Sequence, residues 1–390
     1  MNVKEENIGE TKNGRTPKLT ILFIIAFCVI FVVARYTTDK TFRESVETTV
    51  FKRSITNSES NSIDIDGSDS PGIYAYDNYV GILSKNVLSI YNQNASLEKQ
   101  IDINLSLPYA ASNGKYLALA ERNGQKIYLI SGTNILWENT VEGAISRINV
   151  NENGYVSVII QNTIYKSVII FYDNSGKEVF TTYISTNLAV CTDISKDNKY
   201  LAIGEVDYTG TLLKSYVKII SVDKAETSPD NSIIYTYESG SGEFILNINY
   251  GSKDTAVCMF NSYIQSVSPS GDERIYEIDK NNLFVDVNLD SKVIYVDKQL
   301  SGLFSYEYEL FIKKAIGNSE KLYILNNELP KSISASSNYI VLNFGNQLEV
   351  VNSNGWLIKH FSGTEQINSV VIGDSVVGVI YKNRVEVIKL

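Results

Sequence analysis

One phrase recurs along the chain. Ser195-Lys196-Asp197-Asn198-Lys199-Tyr200-Leu201-Ala202-Ile203 reads as a strand end, a tight polar turn and a second strand that opens on an aromatic. Ser112-Asn113-Gly114-Lys115-Tyr116-Leu117-Ala118-Leu119 and Ser336-Ser337-Asn338-Tyr339-Ile340-Val341-Leu342 repeat it. Such a repeat commits a chain to stacked like units, because one unit cannot bury its apolar face alone. The anchor positions are Tyr79, Tyr116, Tyr155, Tyr200, Thr255, Val293, Tyr339 and Val376, separated by 37, 39, 45, 55, 38, 46 and 37 residues.

A second phrase follows each anchor strand: a strand, a turn of Asn, Asp or Gly, and another strand. Ile170 to Phe180 (IFYDNSGKEVF) is the clearest, and Val351–Ile358 and Val267–Ile275 match it. The turn glycine can take positive φ at little cost. Each repeat therefore supplies about four strands, which is one blade of a β-propeller. Two residues past the anchors stand Gly81, Ala118, Ser157, Ala202, Val257, Tyr295, Val341 and Gly378, and five of the eight are small. Small side chains are expected on the strands nearest the axis, where wedge-shaped sheets close in.

The expected fold is all-β: a propeller of about eight four-stranded blades over residues 73–390, with seven as the alternative. The last repeat ends at Leu390 without room for a fourth strand. A strand from the N-terminal side, Ser62–Ile65 or Thr49–Ser54, is expected to complete that sheet and remove a free edge.

Ahead of the repeats, Leu19 to Ala34 (LTILFIIAFCVIFVVA) carries no charge and is bounded by Lys18 and Arg35. As a helix these residues span about 24 Å, and flanking Lys, Arg and Tyr side chains can snorkel to cover the rest of a bilayer core. A transmembrane helix at 19–34 is expected, an uncleaved signal anchor rather than a cleaved signal, because the run exceeds most signal-peptide cores. The basic residues flanking it are balanced, so orientation is adopted from the usual layout: a short cytoplasmic tail (1–18), the span, a polar stalk (35–72) and an extracytoplasmic domain. Phe42, Val46 and Val50 allow a short helix after the span. Asp64–Asp69 resembles part of a calcium loop but lacks its final Glu, so a solvated acidic linker is the plainer reading.

Composition excludes several functions. A net charge of −9 argues against nucleic-acid binding, which needs a basic face. The single histidine, His360, excludes His-based triads and histidine metal clusters. No P-loop, dinucleotide glycine pattern, nucleophile elbow or CxxC occurs. Cys191 and Cys258 are expected as buried strand thiols, with one bridge between them as the alternative. No cofactor and no metal is expected.

Two second-to-third strand connections exceed the minimal blade: Glu205–Ser215 in blade 4 and Asp297–Leu310 in blade 6. Both emerge on the same face. Tyr208, Phe304, Tyr306 and Tyr308 on them are the candidate binding residues, since loop aromatics anchor interfaces. The plainer reading is extended hairpins packed on themselves.

On these turn-plus-strand phrases the chain resembles the WD-repeat-like and YVTN-type bacterial propellers, and within them the single-span exported propellers of domain-of-unknown-function families. It differs from true WD repeats: Trp137 precedes Glu138, Trp356 precedes Leu357, and there is no Gly-His. No active site maps from that resemblance. The expected function is a membrane-anchored, extracytoplasmic, non-catalytic module binding a protein or an envelope polymer. The alternatives are an exported carboxylate-dependent hydrolase or lyase acting on glycans, and an assembly factor of a membrane complex.

Overall fold

A computed structural model describes residues 16–38, 42, 46, 61–66, 70–251, 255–290, 292–300, 306–314, 320–325, 328–336 and 338–390. They form two units, Met1–Ile55 and Thr56–Leu390. In the first, helix α1 runs Thr16–Thr38, with Phe27 71% exposed. Among the described residues no helix is long and apolar enough to cross a membrane. Of the expected post-span helix, Phe42 and Val46 are helical, and Val50 lies outside the described residues.

The second unit holds eight antiparallel four-stranded sheets, the blades. Blades 1 to 8 begin with inner strands Gly72–Tyr76, Pro108–Asn113, Ala144–Val150, Leu188–Ile194, Ile245–Asn249, Asn282–Asp286, Ser332–Ser336 and Ser369–Ile372. In seven of them the strands pair in chain order. In blade 8 the fourth strand is Asn61–Asp64, paired with Arg384–Lys389 through Asn61↔Val387 and Ile63↔Val385. The eight-blade count and closure by the Ser62 segment are thus as expected; the other closing segment proposed, Thr49–Ser54, lies outside the described residues. First-to-second and third-to-fourth connections emerge on one face, called lower. Second-to-third connections and the links between blades emerge on the upper face.

Each blade buries both faces against its neighbours, so middle strands lack alternation. Tyr116–Glu121 (YLALAE) and Ser167–Tyr172 (SVIIFY) are buried along almost their whole length, whereas the outer strand Leu97–Asp102 (LEKQID) is largely exposed. The core is eight clusters, one in each seam between adjacent blades. Period-two geometry sorts side chains between seams. Leu117 and Leu119 enter the seam with blade 1, and Ala118 and Ala120 the seam with blade 3. Leu201 and Ile203 likewise face blade 3, and Ala202 faces blade 5.

That sorting corrects two expectations. The small residues lie on the second strands, not the innermost ones. They thin the side facing the next blade: a Cβ on Gly378 would stand 2.8 Å from Val371 Cγ2. The anchor of blade 6 is Lys292, not Val293. Val293 and Tyr295 pack toward blade 5, while Ile294 and Val296 pack toward blade 7, as the second residue past the anchor does elsewhere. A one-residue slip exchanges the two faces of a strand.

A six-residue helix, α2 (Val222–Thr227), was not expected; it packs Val222 and Ala225 into the seam between blades 3 and 4. Outer turns stitch the blades. In blade 3, Asp173 Oδ1 accepts from the Ser175 and Lys177 amides at 2.8 and 3.0 Å. Gly176 there has φ +82°, and a Cβ on it would lie 2.6 Å from the Trp137 ring of blade 2. Cys191 and Cys258 are free and buried, so the thiol reading holds and the bridge does not.

Ile63 is the one buried side chain of the closing strand and lies in the seam between blades 8 and 1. Ile63→Ala should destabilise the full chain by about 2–5 kcal/mol in urea unfolding, whereas Ser62→Ala, exposed on the same strand, should stay within about 0.5 kcal/mol.

Candidate functional site

Of the candidate aromatics, Tyr208, Tyr306 and Tyr308 are among the described residues. Tyr306 and Tyr308 lie on Tyr306–Lys314, the third strand of blade 6, whose nine residues pair with Lys292–Leu300 as an extended hairpin. Lys298 Nζ sits 3.9 Å from the Tyr306 ring centre. Tyr308 is half-buried against the blade 6–7 seam. Phe304 lies outside the described residues. Tyr208 stands on the short connection 208–213 of blade 4, 47% exposed. No hydrogen bond or ring contact among the described residues joins it to Tyr306 or Tyr308.

Tyr208 instead meets blade 3. Its hydroxyl accepts from Lys166 Nζ, which also lies 4.2 Å from the ring centre. Tyr165, beside Lys166, packs its ring 4.8 Å from that of Tyr183. Ile164 next to it is 81% exposed, and Tyr183 and Leu212 are 58% and 61% exposed. Apolar side chains from two blades thus share one stretch of the upper face. Sequence reasoning missed Ile164 and Tyr183, which lie far from Tyr208 along the chain in a polar tract.

The axis offers a second site. A cavity of about 420 Å³ is lined by inner-strand residues of blades 2 to 7, among them Arg147, Asn149, Asp193, Asn247 and Asn249. Its shape follows from irregular inner strands. Register shifts interrupt blade 3 between Ile145 and Arg147, blade 4 between Ala189 and Cys191, blade 5 between Ile245 and Asn247, and blade 6 between Leu283 and Asp286. The inner strands of blades 1, 2, 7 and 8 pair without one. In blade 6 the irregularity places Phe284 at φ +54°, a strained conformation for a bulky residue. Bulges bend a strand and re-aim the next side chain. In blades 3 and 5 those are Arg147 and Asn247, both on the cavity wall, whereas Cys191 after the blade 4 bulge packs its side chain into the seam with blade 5.

Asp193 joins three blades at this wall. Its Oδ1 accepts from Asn149 Nδ2 at 2.6 Å and the Ile194 amide at 2.9 Å; its Oδ2 accepts from the Tyr250 amide at 2.5 Å. Burial outweighs these bonds and pushes its pKa up to about 6. At the lower mouth Lys196 of blade 4 bonds Asp290 of blade 6 at 2.8 Å, past blade 5. Asp374 is raised by burial, then by the like charges of Asp77 and Glu152. Raised carboxylates near the axis are what a glycan hydrolase or lyase would present, but all three donors to Asp193 are the protein's own and occupy both oxygens. Among the described residues no group of three or more His, Cys, Asp or Glu could hold a metal ion. His360 lies on the outer strand of blade 7, its Nδ1 3.5 Å from Glu349.

The Asp193 shift fixes a sign. Folded Asp193 keeps a proton that the unfolded chain has lost between pH ~4 and ~6, so its contribution is full below that window and fades as pH rises through it. Wild-type stability should therefore fall relative to Asp193→Asn across that window, by at most about 3 kcal/mol. Urea unfolding at a series of pH values measures the difference, and a flat difference would remove the assignment.

BamB from Moraxella catarrhalis is similar over 85% of this chain and 98% of its own, at 11% identity and a TM-score of 0.51. Sqt1 from Chaetomium thermophilum is similar over 85% and 98%, at 10% identity and 0.51. The same protein bound to the N-terminus of ribosomal protein L10 is similar over 85% and 100%, at 10% identity and 0.50. These likenesses establish the propeller fold. No curated protein matches the chain. The model of a family of unknown function, DUF5711, matches residues 51–390, and the chain belongs to that family.

Proposed function

We propose that this chain is a membrane-tethered, extracytoplasmic propeller that binds a protein partner on its upper face and carries out no catalysis. The observation that carries this reading is the cluster of exposed apolar side chains at Ile164, Tyr183, Tyr208 and Leu212. Soluble monomers seldom expose contiguous apolar groups without a use for them. Tyrosines with large apolar bodies and a polar tip are favoured interface anchors. A ring of sheets is a rigid platform, so its loops can present such groups without a large ordering cost on binding. Sqt1, of the same fold, holds the N-terminus of a ribosomal protein. That is support by analogy of architecture.

The tether rests on the uncharged run Leu19–Ala34 and its basic flanks in the sequence. The extracytoplasmic side rests on the layout of a short N-terminal tail before a large domain.

A photo-crosslinking residue at position 164 of the full chain should give a discrete protein adduct in the membrane fraction of irradiated cells. The same residue at Trp356, exposed on a lower-face turn, should give none. A polymer smear would redirect the reading to an envelope polymer. Equal adducts from both positions, or none from 164, would defeat it.

Topology has its own readout. Burial pushes the Cys191 thiol up to about 12 and Cys258 higher than the usual thiol range, so neither reacts readily. A cysteine at exposed Ser175 should react with a membrane-impermeant maleimide in intact cells, above the parent chain as background. Labelling only after lysis would place the propeller on the cytoplasmic side.

A further inference from the structure

We propose that the axial cavity binds a small polyhydroxylated carboxylate, with Arg147 pairing its carboxylate group. Arg147 is the one cation among the residues lining the cavity. It is exposed to the cavity, and no ion pair or hydrogen bond holds its guanidinium among the described residues. Its guanidinium is therefore open to an anionic ligand. It presents a planar fork that matches a carboxylate bidentately.

The backbone is built to place it. The bulge in the inner strand of blade 3 falls between Ile145 and Arg147, and a bulge at the same level of blade 5 precedes Asn247, which lines the same cavity. The inner strands of blades 1, 2, 7 and 8 are regular. Four bulged inner strands stand in succession, and Arg147 is on the first of them.

The charge nearest by does not neutralise it. Asp193 spends both oxygens on Asn149, Ile194 and Tyr250. Asn149, its partner, lies two residues below Arg147 on the same strand, about 7 Å along it. The carboxylates Asp77, Glu152, Asp290 and Asp374 belong to lower-face connections, so an anion approaches Arg147 from the upper mouth.

The rest of the wall selects hydroxyls. Asn247 Nδ2 bonds Asn288 Oδ1 at 2.9 Å, which leaves the oxygen of the first and the amino group of the second for a ligand. The side chains of Asn249, Asn113, Ser112 and Ser336 also line the cavity, and none of them makes a hydrogen bond within the protein among the described residues. The wall is mainly polar, with Ala111 and Ala335 among its few apolar groups, and paired donors and acceptors on such a wall suit a polyol better than an apolar acid. A single cation suits a monoanionic carboxylate better than a phosphate dianion, which gathers several donors. A volume of about 420 Å³ lies within the range of small-molecule sites.

Calorimetric titration of the purified full chain with D-glucuronate tests the proposal, with D-glucose and inorganic phosphate as comparisons. Glucuronate should bind saturably, with glucose and phosphate at least about tenfold weaker. Arg147→Gln should weaken glucuronate by at least about tenfold, with Arg147→Lys between the two, since a charge-assisted pair contributes on the order of 1.5–3 kcal/mol. Neither variant should shift the thermal unfolding midpoint, because the side chain makes no protein contact that folding needs. No saturable heat with glucuronate would overturn the proposal. So would equal affinity in Arg147→Gln, or phosphate binding as tightly as glucuronate.

Discussion

A blade has two apolar faces, and each must be covered by another blade. This single demand governs the molecule. A row of such sheets leaves an uncovered face at each end, and only a ring leaves none. The ring here contains eight seams, each filled from both sides by residues of adjacent sheets. Large side chains on one side of a second strand and small ones on the other give the sheets their wedge. Leu117 and Leu119 against Ala118 and Ala120 is the clearest case.

Because the seams are satisfied internally, three regions stay free to vary: the axis and the two rims. Variation is concentrated there. The inner strands make no further pairing on their axial edge, so a bulge costs them less than it would a middle strand. Blades 3 to 6 use that freedom, each with a register shift in its inner strand. The upper rim uses loop length: the connection at 208–213 reaches toward Lys166 and Tyr165 of the preceding blade. Both candidate surfaces therefore lie where packing imposes least.

The sequence showed the middle of each blade and hid its margins. The turn-plus-strand phrase was legible because a doubly buried strand must be apolar throughout and its turn must be polar. Lys292 was misplaced by one position because Val293-Ile294-Tyr295-Val296 is apolar on both faces and offers no parity. The Tyr208 neighbourhood was half legible. Its aromatic was visible, but Ile164 and Tyr183 reach it only through the adjacency of blades 3 and 4. The axial cavity was not legible. A bulge inserts one residue without a compositional mark, and Arg147, Asn247 and Asn249 become neighbours only when the ring closes. The short helix α2 was missed for the same reason as most single-turn helices: six residues carry too little periodicity to read.

The ring is fastened by its own beginning. Asn61–Asp64 pairs with Arg384–Lys389, so the clasp joins residues more than 300 positions apart. Closing a loop of that length costs about 5 kcal/mol of chain entropy, and the clasp can form only after the final strand exists. During synthesis the early strand must wait, and seven blades must stack as an open arc with bare edges. Any machinery that shields a nascent arc would act in that interval. The finished molecule inherits the asymmetry: a four-residue strand with one buried side chain is the place where the circle parts first.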